Sequence, residues 1–137
     1  MRLLLILLLS FGIAPAQDGP FSHKKHAPLK LACTYCHTTA EKEDRAGFPA
    51  LATCRTCHPA IADRKIPAQR VYRVKDFVVF RHAAHSAQAA CATCHGEVYT
   101  LDTISRAVRP TTMIECVDCH KSKQASVQCN LCHELGQ

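Results

Sequence analysis

The chain opens with a near-continuous apolar run, Leu3 to Ile13, behind Met1-Arg2 and ahead of Ala14-Pro15-Ala16. A positive start, a short apolar stretch and a small-x-small site make the pattern of a secretory signal, with cleavage expected before Gln17. The run is shorter than the roughly 20 residues a bilayer span needs, so a retained anchor is the weaker alternative. No cysteine stands at the cleavage point, which argues against a lipid anchor there. After a polar leader, Gln17 to Pro20, apolar positions become sparse and scattered. Val71 to Phe80 (VYRVKDFVVF), rich in Val and aromatic residues, is the best strand candidate. The charged run Glu41-Lys42-Glu43-Asp44-Arg45, ahead of Gly47 and Pro49, predicts a solvated helical turn ending in a loop, and Ile61 to Arg70, with Pro67, reads as a linker. This pattern predicts a small, mostly irregular fold with short helices and a minor two-stranded β element.

What replaces apolar periodicity is a pentapeptide written five times. Cys-x-x-Cys-His occurs at Cys33–His37, Cys54–His58, Cys91–His95, Cys116–His120 and Cys129–His133, and these five copies use all ten cysteines of the chain. Two thiols three residues apart can bond to two substituents of one porphyrin, and the following histidine then lies under the iron as proximal ligand. A zinc ribbon needs paired Cys-x-x-Cys with no fixed His after each, and a redox dithiol needs a single pair. The pairs Cys33/Cys36, Cys54/Cys57, Cys91/Cys94, Cys116/Cys119 and Cys129/Cys132 are therefore read as covalent attachment sites for five haems c. His37, His58, His95, His120 and His133 are read as their proximal ligands. Such haems are attached outside the cytoplasm, so motifs and signal agree on an exported, periplasmic protein.

Composition strengthens this picture. Removing residues 1–16 from 137 leaves 121 residues with no Trp, three Tyr and four Phe, too little to build a large side-chain core. The haems must then form the core, and the apoprotein is expected to be largely unfolded. A net charge of +6, or +5 once Arg2 leaves with the signal, would by itself suggest nucleic acid or a membrane surface. Two propionates on each haem outweigh it, so the basic residues read as propionate and docking partners, and neither nucleic-acid binding nor stable membrane insertion is expected.

Residues 17–137 are read as one pentahaem domain with an internal repeat. Phe21-Ser22-His23-Lys24-Lys25-His26 stands ahead of the first motif and Phe80-Arg81-His82-Ala83-Ala84-His85 ahead of the third. The units run over 21–58 and 80–120, each with two motifs, and a fifth motif closes the chain. Five six-coordinate irons need ten axial ligands. The nine histidines comprise five in the motifs plus His23, His26, His82 and His85, and the one methionine beyond the signal is Met113, three residues before Cys116. These five are the candidate distal ligands, with Met113 closing the count. The competing role for a lone methionine is gap filler in a core.

Phe-x-His-x-x-His shortly before Cys-x-x-Cys-His, in a short exported chain with tightly spaced motifs, resembles the class III multihaem cytochromes of the cytochrome c3/c7 type over Phe21 to His133. The resemblance implies a haem-wrapped fold of that type and implies that the first His of each pair serves the haem that follows while the second serves a neighbour. His23 would then serve haem 1, His26 haem 2, His82 haem 3, and His85 haem 4 or 5. Met113 would take the remaining iron. Its reach of three residues, about 10 Å, makes its own haem 4 hard to wrap and favours haem 5. The family is typically bis-His with three or four haems, so five haems and a methionine are departures. A Met just before a late motif is also similar, locally, to pentahaem subunits of membrane quinol-oxidising complexes. The expected function is electron transfer between redox partner proteins, a quinol-oxidising membrane complex or a terminal reductase among them. A small reductase or gas sensor would need an open iron, and all five motifs are regular. A subunit of an electron-conducting filament is the third reading.

Overall fold

In a computed structural model of the chain, residues 20–61 and 69–134 are described. The signal and most of the polar leader and of the expected linker lie outside the described residues.

The described chain is a succession of short helices, all but one of a single turn, joined by turns and irregular segments. They are α1 (His23–His26), α2 (Cys33–Cys36), α3 (Leu51–Arg55), α4 (His82–Ser86), α5 (Cys91–His95), α6 (Met113–Ser122) and α7 (Cys129–Cys132). Two 3-10 turns, Ala27–Leu29 and Val98–Thr100, complete the set. Helices of four or five residues do not hold themselves together in water, because nucleation costs more than so few hydrogen bonds return. Most of them also lack a cap. The residues ahead of α2, α3, α5 and α7, namely Ala32, Ala50, Ala90 and Gln128, have extended backbone and make no side-chain capping bond. No hydrophobic side chain is buried among the described residues, and Ser22 is the buried polar one. Order must therefore come from something other than a side-chain core.

Two long-range clasps hold the halves of the chain against each other. Helix α1 packs on the Val98–Thr100 turn. There the Lys24 N–H donates to the Leu101 carbonyl at 2.9 Å, and the Ser22 hydroxyl donates to Asp102 at 2.7 Å. Helix α4 is seated on the loop after the first motif, where His82 N–H donates to the Asp44 carbonyl (3.0 Å) and Ala83 N–H to that of Glu43 (3.1 Å).

That second clasp corrects one expectation. The charged run 41–45 forms turns and bends, not a helical turn. Its Glu43 and Asp44 carbonyls are turned toward α4, so they are not aligned along a helix axis. The two-stranded β element is also absent among the described residues. Val71 to Lys75 has no regular secondary structure, a turn follows at Asp76-Phe77, and a single antiparallel bridge joins Val78 to His133. Pairing stops there because Cys132, whose carbonyl accepts from Val79 N–H at 2.8 Å, already ends α7. In helix α6, Thr112 caps the start by accepting from Glu115 N–H, and the left-handed Gln124 closes the end.

Candidate haem centres

The four histidines of the repeated element each stand opposite one motif histidine. Ring centroids are 6.4 Å apart for His23 and His37, 6.1 Å for His26 and His58, 6.2 Å for His82 and His95, and 6.1 Å for His85 and His120. These gaps are too wide for contact and too regular for accident. Two metal–nitrogen bonds of about 2 Å, plus the two ring radii, span such a distance with one iron between the rings. His85 thus faces the fourth motif, not the fifth. Among the described residues His133 has no imidazole opposite; a ring near it is Phe77, at 5.8 Å and 26°.

Helix geometry supplies these pairs. His23/His26 and His82/His85 are three residues apart, on one face of α1 and of α4, so each helix presents two imidazoles to two centres. Backbone carbonyls then fix the tautomers. Nδ1 of His26, His37, His82, His85 and His120 lies 2.8, 3.2, 2.6, 2.8 and 2.6 Å from the carbonyls of Ser22, Gly47, Ala40, Arg81 and Ser126. A carbonyl only accepts, so Nδ1 carries a proton and Nε2 is the nitrogen left to ligate, the arrangement in which an orienting bond holds a metal-ligating histidine. The Nδ1 of His23 is buried without a hydrogen-bond partner. Burial first, then the His37 and His26 imidazoles, lowers the His23 pKa, and burial with His82 and His37 lowers that of His95. Both shifts favour the neutral ring, the ligating form.

These residues fit haem better than a protein-only metal site. Among the described residues no three His, Cys, Asp or Glu side chains converge on one point, as zinc would demand. The ten cysteines are free thiols, and within α2 and α7 the two of each motif lie one turn apart. Each imidazole pair would hold one haem iron between its two rings, and the adjoining Cys-x-x-Cys thiols would attach the porphyrin.

The motifs adjoin one another in an order different from their order in the chain. Burial and then Cys54 and Cys57 raise the Cys36 pKa, and the Tyr35 and Thr56 hydroxyls meet at 3.4 Å, so the second motif adjoins the first. Burial and then Cys91 raise that of Cys33, which brings the third motif to the first. Helix α4 joins the third to the fourth, since its His82 and His85 face His95 and His120. Burial and then Cys132 raise the Cys116 pKa, so the fifth motif adjoins the fourth. The spatial sequence is 2, 1, 3, 4, 5.

Several residues around these centres carried no recognisable signal in the sequence. The ring of Tyr72 meets His95 edge to face at 4.5 Å, while its hydroxyl donates to the Cys94 carbonyl at 3.2 Å and accepts from Val108 N–H at 2.8 Å. Tyr99 lies against His23 and donates to the Leu31 carbonyl at 2.8 Å. Phe21 stacks on His26 at 4.5 Å and Phe80 on His85 at 4.2 Å, so the aromatic position of the repeated element buttresses the second histidine in both copies. Phe21 and Phe80 had a readable cue, as the repeated aromatic position of that element, and so did Ser22, as a capping residue directly ahead of His23.

Among the described residues no helix is long and apolar enough to cross a membrane. Residues 23–103, more than half of the chain, match the family model for cytochrome c3, and residues 78–134 match that for cytochrome c7 and related cytochrome c. The multihaem cytochrome c subunit of a menaquinone reductase from Nitratidesulfovibrio vulgaris is 33% identical over 92 residues, a stretch covering 55% of this chain and 43% of that protein. The chain thus spans less than half of that relative. With paired imidazoles, free Cys-x-x-Cys thiols and two overlapping family matches in agreement, the chain belongs to the cytochrome c3/c7 family, the class III multihaem c-type cytochromes that transfer electrons.

Proposed function

We propose that the chain is an exported, periplasmic pentahaem cytochrome that carries electrons between redox partner proteins and performs no catalysis of its own. The observation that carries this reading is the set of four imidazole pairs at 6.1–6.4 Å, each joining one motif histidine to one of His23, His26, His82 and His85. Five haems c, held by the ten motif cysteines, supply the one-electron chemistry when bound. The chain's residues keep the axial positions filled, hold the imidazoles in one tautomer and set the centres close together. Two strong ligands on an iron exclude substrate and change little with redox state, which suits a carrier better than a reductase. The likeness to a subunit of a menaquinone reductase supports a partner in a quinone-linked complex. Residues 1–16 are proposed to be removed as a signal, leaving a single domain from Gln17.

Intact mass and pyridine haemochrome analysis of the purified holoprotein test this reading. The expected result is a polypeptide beginning at Gln17 with five haems; four or fewer per chain would overturn it.

A further inference from the structure

His133 is the motif histidine without an imidazole opposite, and Phe77, its aromatic neighbour, has no lone pair to offer a metal. The other eight histidines are taken in pairs. Tyrosine can also ligate haem iron, but all three are engaged elsewhere: Tyr35 with Thr56, Tyr72 with Cys94 and Val108, Tyr99 with Leu31.

Met113 remains, and its place suits the task. Met113 is 68% exposed, and among the described residues there is no buried side-chain core for it to fill, the usual occupation of a lone methionine. It is the first residue of α6, three residues before Cys116 and seven before His120, positions that recur along one edge of a helix. The helix adjoins the fifth motif: its His120 Nδ1 is held on the carbonyl of Ser126, three residues before Cys129, at 2.6 Å, and Cys116 and Cys132 are near enough for their thiols to interact. The fourth centre has no need of Met113, since His85 already faces His120. The platform is held by the Thr112 cap and by an ion pair, Arg109 to Glu115 at 3.6 Å, bridging the start of the helix to the preceding loop.

We propose that the Met113 thioether is the axial partner of His133, so that α6 serves two centres: Cys116, Cys119 and His120 for the fourth, Met113 for the fifth. This rests on the pentahaem reading and adds its tenth ligand. A thioether opposite imidazole favours the reduced state, so the end of the series at the fifth motif is the high-potential one.

The test is a spectroscopic titration of reduced holoprotein with carbon monoxide, on wild type, Met113→Ala and Met113→His. Wild type should bind none, Met113→Ala one equivalent per chain. Met113→His should again bind none, with one centre's potential lowered into the range of the other four. Binding at one haem in wild type, or at none in Met113→Ala, overturns Met113 as ligand and leaves the four imidazole pairs standing. Binding at two or more haems in wild type would overturn the pairs as well, and with them the carrier reading.

Discussion

Ser22 shows how much one side chain does where no side-chain core exists. Its hydroxyl accepts from Lys25 N–H (3.1 Å) and donates to Asp102 (2.7 Å), while its carbonyl receives His26 Nδ1 (2.8 Å). Ser22→Ala removes a helix cap and a charge-assisted bond together, at a cost of about 1–2 kcal/mol. The expected result is a lower denaturation midpoint for the holoprotein with an unchanged visible spectrum. Gly96, directly after His95, is a second such position. Its φ of 66° and ψ of −165° belong to a region open essentially to glycine, and a Cβ there would meet the Val108 methyls at 3.1 and 3.2 Å. Gly96→Ala should cost about 1–3 kcal/mol. Adding Val108→Ala should recover only part of that loss, since it relieves the clash and not the backbone; denaturant titration of the single and double variants checks this. The motif cysteines and histidines are legible in the sequence because their chemistry demands fixed spacing. Ala40, Gly47 and Ser126 are not, because they act through carbonyls, which every residue has.

At the scale of elements, α1 and α4 do the same work with different outcomes. Both present two histidines at i and i+3, yet the facing rings lie at 8° for His23/His37, 68° for His26/His58, 33° for His82/His95 and 41° for His85/His120. In a low-spin ferric haem the angle between axial imidazole planes sets the splitting of the iron d orbitals. Near-parallel rings yield a rhombic electron paramagnetic resonance signal, and steeply crossed rings a highly anisotropic one with a single large g value. The oxidised protein should therefore show one large-g signal, and His26→Ala should abolish that signal while opening one haem to carbon monoxide. The repeat of Phe-x-His-x-x-His made both helices recognisable as ligand carriers. Their ring angles depend on what holds each partner: His37 is tied to Gly47, while His58 lies just past the end of α3.

At the scale of the whole molecule, the two clasps are reciprocal. Helix α1 of the first half is held by the Leu101–Asp102 segment of the second, and α4 of the second by the Glu43–Asp44 segment of the first. Without attached haem these contacts join helices mostly too short to persist, and among the described residues no apolar side chain is buried between them. Chains produced without haem attachment should show little helical circular dichroism and no cooperative unfolding transition, whereas holoprotein should unfold in one. The sequence by itself determined the number of attachment motifs, the histidines and methionine available to them, the family, and the need for a core not made of side chains, since covalent attachment and ligation are written in residue type and spacing. Only the tertiary structure decided the spatial order of motifs 2, 1, 3, 4, 5, the pairing of His85 with His120, and the failure of Val71–Phe80 to become a strand. Those outcomes depend on which distant segments meet, and in a chain this short the packing around the centres outweighs local propensity.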